Sequence, residues 1–365
     1  MKVPFFDYPQ LYKKDKLLID EKLDLIMNRG AFILQNDLVE FEKKLEEYAG
    51  AKHALGVANG TDAIWLSVMA CGLKPGDEVL MPSHTYVATP AAVNFLGITP
   101  ILVDCSDDHL MCLDDLNKKI SSHTKAVMPV QLNGRTLNMD QLNDIATKND
   151  LIIIEDAAQG LGSKFKGKMA GTFGIAGTYS FYPAKTLGCF GDGGAIITND
   201  TGLYKTLYEL RDHGRDEAGN YKRWGLNSRL DNMQAGILLA KLEILDNEIK
   251  RRREIANLYH DALSAFKEIK LPPKPDEESA HFDTFQNYEI DCNDRDNLKS
   301  HLASKDVGTI IQWGGKAIHQ IKALNLHTIL PKTDKLFEGC LLLPMNTTLT
   351  NQQVEYVIDS IIEFY

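Results

Sequence analysis

An acid and a lysine in the middle of the sequence have the types and the spacing for one kind of covalent catalysis. Asp156 ends an apolar run that begins at Ile152, and Lys185 follows 29 positions later among small residues. A lysine amine can form a Schiff base, and a carboxylate can keep a pyridine nitrogen protonated. Pyridoxal phosphate (PLP) needs both groups, and Ser180, five residues before the lysine, could bind its phosphate. The sequence therefore predicts a PLP site.

The surroundings of Lys185 support this interpretation, although most lysines are solvated surface residues. The lysine lies between Pro183-Ala184 and an apolar, glycine-rich run at residues 187–191. Desolvation in such a setting lowers the pKa of an amine, and Schiff-base formation removes its charge. The run Gly191-Asp192-Gly193-Gly194 is not a dinucleotide fingerprint, because it precedes a predicted strand instead of following one.

Predicted strands, each followed by a predicted helix, must position these groups. Apolar runs at residues 53–58, 78–83, 99–105 and 126–132 precede the one that ends at Asp156. Strands that recur roughly every 20–25 residues between helices favour a mostly parallel, doubly wound sheet. Ligands bind such sheets at the carboxyl ends of the strands, which is where Asp156 is predicted to lie.

The pattern changes farther along the chain. A long helix is predicted at residues 231–260, followed by strand, helix and strand at 287–292, 294–305 and 308–313. A strand at 341–344 and a helix that starts at Thr350 complete a smaller α+β unit.

Gly60 and Thr61 open a predicted helix directly after the strand at 53–58. Free N–H groups and the positive end of the helix dipole make such a position a natural phosphate site. The alternative is a simple N-cap, in which Asn59 or Thr61 satisfies backbone donors. Spacing alone does not separate the two, and the pair Asp156 and Lys185 downstream favours phosphate.

Two further side chains could contact the pyridine ring. Tyr86 follows the strand at 78–83, where an aromatic side chain could stack on the ring, although a core tyrosine fits the same pattern. Gln159 lies one helical turn after Asp156 and could hydrogen-bond the ring hydroxyl or lie against the ring.

Taken together, these motifs resemble the signature of the DegT/DnrJ/EryC1/StrS aminotransferases. The matching segments are Asp156-x-x-Gln159, Ser180-Phe181-x-x-x-Lys185 and Gly191-Asp192-Gly193-Gly194-Ala195. The resemblance covers nearly the whole chain. It implies an α/β, aspartate-aminotransferase-like fold (PLP fold type I), with a mostly parallel seven-stranded sheet. The large PLP-binding domain is expected at residues 1–245 and the small C-terminal α+β domain at 246–365.

The resemblance also implies a function. We expect a PLP-dependent transaminase that transfers an amino group from an amino acid, expected to be L-glutamate, to a nucleotide-linked keto-6-deoxy sugar. The ketone could lie at C3 or C4, the carrier could be dTDP, UDP or GDP, and the product would enter surface polysaccharide or lipopolysaccharide (O-antigen) synthesis. One alternative is a PLP-dependent nucleotide-sugar dehydratase, which Lys185 disfavours because that branch of the family has histidine there. The other is a non-catalytic PLP-binding module.

The family pattern assigns roles to residues outside the central stretch. Asn227, in Gly225-x-Asn227-x-Arg229, matches an asparagine that reaches the PLP phosphate of the partner in a dimer. Arg229, in a basic segment at 221–229 that could also be a solvated turn, is assigned to the anionic substrate. Phe32, in the connector 28–35, is expected to line the sugar site, and a packed connector fits equally well. His319 matches a histidine near the sugar in many relatives.

The chain departs from the family pattern at two positions. Many members have His-Leu-Tyr-Gly where this sequence has Gln131-Leu132-Asn133-Gly134. The sequence therefore leaves the roles of Gln131 and Asn133 open.

Charge and composition limit the possible partners. The net charge of −10 argues against binding nucleic acid or an anionic membrane. The N-terminus lacks an apolar core of signal-peptide length, and no stretch approaches the ~18 apolar residues of a membrane helix. The six cysteines include no Cys-x-x-Cys pair, which indicates reduced thiols and no metal site. We therefore expect a cytoplasmic protein. The family role of Asn227, which reaches the partner's PLP phosphate, further implies a symmetric homodimer with shared active sites.

Overall fold

The computed structural model describes residues 1–365, in which helices and strands alternate over most of the first 200 positions. The α-helices are α1 Tyr8–Arg29, α2 Asn36–Ala49, α3 Gly60–Ala70, α4 Ala88–Asn94, α5 Leu113–Lys119, α6 Met139–Lys148, α7 Thr201–Arg211, α8 Asn232–Leu242, α9 Leu245–Leu263, α10 Arg295–Ser304, α11 Pro331–Gly339 and α12 Asn351–Phe364. The strands are β1 His53–Val57, β2 Glu78–Pro82, β3 Thr99–Val103, β4 Thr124–Val127, β5 Ile152–Asp156, β6 Lys164–Phe165, β7 Lys168–Met169, β8 Ala176–Ser180, β9 Gly194–Thr198, β10 Ile269–Lys270, β11 His281–Phe282, β12 Tyr288–Cys292 and β13 Cys340–Leu343. None of the helices combines the length and the apolarity that crossing a membrane requires.

Seven strands form the central sheet in the order β1-β9-β8-β5-β4-β2-β3. Neighbouring strands from β8 to β3 are parallel, whereas β9 is antiparallel to both β8 and β1. All five residues of β9 are buried, as are most residues of β5, which is typical of a sheet covered on both faces. The structure thus confirms the predicted α/β fold. The carboxyl ends of β1, β2, β5 and β8 lie at one edge of the sheet.

A second core forms around the antiparallel sheet β10-β12-β13. Helices α10 and α12 and the second half of α9 contribute to it, and so does Val3 from the N-terminus. The first half of α9 packs instead on the core around the central sheet, through Leu245 and Ile249. Ile318, from the C-terminal part of the chain, also packs in the core of the central sheet. The small β11-β6-β7 sheet completes the fold. The boundary between the large and the small domain at residues 245 and 246 stays a prediction.

Three predicted elements differ in the structure. The long helix at 231–260 is two helices, because Ile244 leaves helical geometry (φ −108°, ψ 1°) between α8, which packs on α1 and α2, and α9, which packs on α12. The strand predicted at 126–132 ends at Val127, and a 3-10 turn follows in which Asn133 has φ 56°. The strand predicted at 308–313 is reduced to a single antiparallel bridge between Ile310 and Leu342, and Trp313 and Gly314 then adopt left-handed backbone angles in a 3-10 turn.

Glu155 explains one of the two departures from the family pattern. It neighbours Asp156 on β5, so the two side chains point to opposite faces of the sheet. The Glu155 carboxylate is fully buried and accepts a hydrogen bond from Gln131 Nε2 at 2.7 Å. It also accepts three backbone hydrogen bonds, from Gly171, Phe173 and Gly174. Gln131 therefore helps to hold the segment that leads into β8, and it does not line a ligand cavity.

Candidate active site

A cavity of about 690 Å³ opens at the carboxyl edge of the central sheet. It lies there because β1, β2, β5 and β8 all end at this edge, and each is followed by a turn or helix that carries polar side chains. Seven of the residues predicted for the site line it: Gly60, Thr61, Tyr86, Asp156, Gln159, Ser180 and Lys185. The structure therefore brings together residues from four separate parts of the sequence.

Asp156 is a buried carboxylate without an ion-pair partner. Thr89 donates its hydroxyl hydrogen to Asp156 Oδ2 at 2.7 Å, and the Ala158 N–H donates to Oδ1 at 3.1 Å. Since Thr89 donates, its own oxygen accepts from Thr85, 2.7 Å away. Burial raises the pKa of the Asp156 carboxyl above its ordinary value, although the hydrogen bond from Thr89 opposes this shift. A cation placed next to this carboxylate would compensate its burial.

Lys185 lies in the turn between β8 and β9. Its N–H donates to Tyr182 O at 2.8 Å, and the amide of Gln286 holds the residues on both sides. Gln286 Nε2 donates to Ala184 O at 2.7 Å, while its Oε1 accepts from Thr186 Oγ1 at 2.7 Å. Burial lowers the pKa of the Lys185 amine to about 8, against the smaller opposing effect of Asp156. The amine is thus closer to its neutral, nucleophilic form than an ordinary lysine is at neutral pH.

The start of α3 and the end of β8 approach each other closely enough to form an anion site. Asn59 caps the helix by accepting from the Asp62 N–H at 2.8 Å, which leaves the N–H groups of Gly60 and Thr61 without an intrahelical acceptor. A Cβ atom on Gly60 would lie 2.8 Å from Ser180 Cβ and 3.2 Å from Ser180 Oγ. Only glycine allows this approach. Asn59 is therefore the N-cap of α3. The N–H groups of Gly60 and Thr61 are still available to bind a phosphate.

Tyr86 and Gln159 form parts of the cavity wall. The Tyr86 side chain is 56% exposed, and its ring centroid lies 5.4 Å from that of Trp313. Gln159 Oε1 accepts from the Asn133 N–H at 2.8 Å, so its NH₂ group is the end left for a ligand. Asn133, the second departure from the family pattern, therefore orients a predicted cofactor-binding residue.

These residues fit PLP on the chemistry of their groups. The buried, unpaired Asp156 carboxylate suits a protonated pyridine nitrogen, and the Lys185 amine with its lowered pKa suits a carbonyl carbon. The N–H groups at the start of α3, with Ser180 Oγ beside them, suit a phosphate. All of these groups line the same cavity.

Four predicted residues do not line the cavity of their own chain, and three of them come from the connector 28–35 and the basic segment 221–229. Asn227 is exposed, Phe32 is 45% exposed, and Arg229 Nη1 lies 3.2 Å from Asp212 Oδ1. The other cations of the basic segment are also paired, Lys222 with Asp216 and Arg223 with Glu209. The segment is therefore less available to an anion than its sequence indicated.

The structure places His319, which was predicted to contact the substrate, away from the cavity. Its side chain is buried and does not line the cavity. Nδ1 lies 2.7 Å from Ser83 Oγ, and Nε2 lies 2.9 Å from Asp334 Oδ1. Both ring nitrogens are thus engaged within the protein, and a contact with the substrate stays a prediction.

The sequence did not identify Thr89, Gln286 or Trp313, which also act on this site. Thr89 follows Tyr86 by three positions, so a polar residue at helical spacing was the available signal. Gln286 and Trp313 come from the C-terminal part of the chain and carried no comparable signal.

The lowered pKa of Lys185 predicts how the apoprotein captures PLP as a function of pH. The neutral fraction of an amine rises about tenfold per pH unit below its pKa, so we expect the capture rate to rise to pH ~8 and then level off. The folded apoprotein should also become more stable as pH increases from about 8 to 10.5, since only the unfolded chain then keeps the proton.

Stopped-flow measurement of the visible absorbance of lysine-bound PLP tests this, with N-acetyl-lysine methyl amide as the reference amine. A rate that continues to rise tenfold per unit above pH 9, as it should for the reference, would show that the Lys185 pKa is not lowered.

Comparisons with known proteins agree with this geometry. A model of the DegT/DnrJ/EryC1/StrS aminotransferase family matches residues 14–362. The dTDP-3-amino-3,6-dideoxy-alpha-D-galactopyranose transaminase of Aneurinibacillus thermoaerophilus is 36% identical, over 98% of each chain. The UDP-2-acetamido-2-deoxy-3-oxo-D-glucuronate aminotransferase of Pseudomonas aeruginosa is 35% identical, over 97% of this chain and 98% of its own. The crystal structure of S. venezuelae DesV in complex with a ketimine intermediate has a TM-score of 0.95 at 34% identity, covering 100% of this chain and 98% of DesV.

Proposed function

The chain belongs to the DegT/DnrJ/EryC1/StrS family of PLP-dependent sugar aminotransferases, and on that premise we propose that it transfers the amino group of L-glutamate to a nucleotide-linked keto-sugar. The observation that carries the proposal is that Lys185 and the buried Asp156 line one cavity together with an anion site. A binding module would need the cofactor to be held, but it would not need an amine with a lowered pKa.

The chain's residues would hold the cofactor at three points. Lys185 Nζ makes the covalent attachment, the Asp156 carboxylate keeps the ring nitrogen protonated, and the N–H groups of Gly60 and Thr61 bind the phosphate with Ser180 Oγ. Tyr86 would offer an aromatic surface to the ring, and the Gln159 NH₂ group would offer a hydrogen-bond donor. When bound, PLP supplies an electron sink for the carbon that loses a proton.

Lys185 would then have a second task. The free Lys185 amine would take the proton from the Cα atom of the amino donor and hold it for transfer. The same amine would return a proton to the sugar carbon that receives the nitrogen. Gln286 keeps the amine in place for both transfers, because it holds the backbone of Ala184 and the hydroxyl of Thr186.

The relatives support a ketone at C3 of the acceptor. The Aneurinibacillus thermoaerophilus protein is a 3-amino sugar transaminase, and the Pseudomonas aeruginosa protein acts on a 3-oxo sugar. We therefore propose a 3-keto sugar, such as a 3-keto-6-deoxyhexose, over a 4-keto sugar. The first relative uses a dTDP carrier and the second a UDP carrier, so the carrier is decided by the test below. The amino sugar would serve surface polysaccharide or lipopolysaccharide synthesis.

A homodimer with shared sites is part of the proposal. Asn227 lies outside its own cavity, and the segment that carries it also has two exposed aromatic residues, Trp224 at 96% and Tyr221 at 75%. An exposed tryptophan of this kind is typical of an interface. Asn227 would then reach the phosphate site of the partner, and Phe32 and Arg229 its substrate. Sedimentation velocity of the purified, cofactor-loaded protein tests this arrangement. A sedimentation coefficient that corresponds to a monomer would contradict it.

The absorbance spectrum of the purified protein with PLP tests the proposed function. We expect a visible band from lysine-bound PLP that gives way to near-ultraviolet absorbance when L-glutamate is added. Keto-sugars with the ketone at C3 or C4, on dTDP, UDP or GDP, are then compared by how fast each restores the band. A band that no amino acid changes would indicate a PLP-binding module, and a protein without a band would contradict the proposal.

A further inference from the structure

Trp313 is the one residue lining the active-site cavity that comes from the chain beyond Asp192. All the others lie between Asn59 and Asp192, in the region of the central sheet. The Trp313 ring meets that of Tyr86 at a centroid distance of 5.4 Å and an angle of 42°. The C-terminal part of the chain therefore contributes an aromatic surface to the cavity, adjoining the residue proposed to cover the cofactor.

The backbone of Trp313 is in a conformation that bulky residues rarely adopt. Its φ of 52° and ψ of 28° lie in the left-handed region, and Gly314 and Gly315 follow with φ values of 67° and 78°. A tryptophan is disfavoured there, whereas a glycine or an asparagine is not. The indole N–H is buried and has no acceptor. The ring packs against two buried hydrophobic clusters, which favours folding, whereas the strained backbone and the unpaired N–H oppose it.

A hydrogen-bond network fixes the turn that presents the indole ring. Gln312, 3% exposed, donates from Nε2 to Asn133 Oδ1 at 2.6 Å and accepts from His84 Nε2 at 3.0 Å. Asn133 Nδ2 donates in turn to Glu289 Oε2 at 2.7 Å. His84 precedes Tyr86 by two positions, and Asn133 orients Gln159. The network thus ties the Trp313 turn to segments on two sides of the cavity.

We propose that Trp313 determines which nucleotide-linked sugar the cavity accepts, by forming with Tyr86 an aromatic wall against which the ligand packs. Planar aromatic surfaces combined with a few directed polar groups are how such cavities select ligands. Gln312 and Asn133 are positioning residues in this inference, which rests on the proposed function. Gln312, next to Trp313, contacts Asn133, which is one of the two positions that differ from the family pattern. The two segments therefore act together in positioning Trp313.

The test compares Trp313→Gly with the wild-type protein by titration calorimetry. The ligands are dTDP-glucose, UDP-N-acetylglucosamine and GDP-mannose, which carry no ketone and do not react. Glycine relieves the backbone strain, but the loss of the ring removes its packing against two buried clusters. The unfolding temperature of the variant, with and without PLP, is therefore measured to verify that it is folded. We expect the Kd of the preferred ligand to rise about 10- to 100-fold, a larger factor than any change in the rate at which L-glutamate removes the visible absorbance.

Two further variants make the outcome decisive. Asn325→Gly introduces glycine at another left-handed position (φ 53°), which is exposed and outside the cavity, and should leave every Kd unchanged. Trp313→Phe keeps an aromatic ring and should bind with intermediate affinity and a changed order of preference. Equal Kd values for wild type and both Trp313 variants, or an equal loss in the glutamate reaction, would overturn the inference alone. If the wild-type protein bound none of the three ligands, the proposed function would fail as well.

Discussion

Replacement of Lys185 by alanine is expected to lower the rate of the overall reaction by at least about 10,000-fold, the largest effect of any single change in this protein. The variant loses both the amine that attaches the cofactor and the base that moves protons at the substrate carbon. It should still bind PLP noncovalently, because Asp156 and the start of α3 are unchanged. The measurement is the visible absorbance with PLP, followed by turnover with L-glutamate and a keto-sugar.

Lys241→Met provides the matched control. Burial lowers the pKa of this second lysine too, but its Nζ donates to Gly188 O and it does not line the active-site cavity. The control should keep the visible band and most of the activity. If Lys185→Ala kept the band and the control lost it, the assignment of the covalent attachment would have to move to Lys241.

Replacement of Asp156 by asparagine is expected to lower turnover by about 100- to 1,000-fold, with a smaller effect on cofactor binding. An amide has the shape of the carboxyl group and can still accept from the Ala158 N–H, and its NH₂ group can donate to Thr89 Oγ1. The fold should therefore persist. A neutral amide cannot stabilise a positive charge on the ring nitrogen, so the cofactor withdraws electrons less well.

Asp192→Asn removes the charge of another aspartate that lines the cavity but is exposed to solvent. It should change turnover little, since water screens an exposed charge. The diagnostic measurement is the rate at which L-glutamate converts the visible band, because this half of the reaction does not depend on the sugar. Equal rates for both variants would mean that Asp156 does not tune the cofactor.

Local sequence patterns were enough to predict the part of the site that is built from the ends of strands. The apolar run before Asp156, the small residues around Lys185 and the glycine at the start of α3 are local signals, each a few residues long. They predicted the parallel sheet and seven residues that line its cavity. Parallel strands place their carboxyl ends at one edge, so identifying the strands was enough to bring these residues together.

The packing of the elements in three dimensions determines which residues from distant parts of the sequence contact the site at this edge of the sheet. Gln312 meets Asn133 across 179 positions and His84 across 228, and no periodicity in the sequence encodes either contact. The same holds for the contacts of the His319 ring with Ser83 and Asp334. It also holds for Trp313, which lies in a left-handed turn where the sequence predicted the last residue of a strand. Hydrophobic periodicity reports which face of an element is buried, whereas hydrogen-bond partners between separate elements depend on how those elements pack.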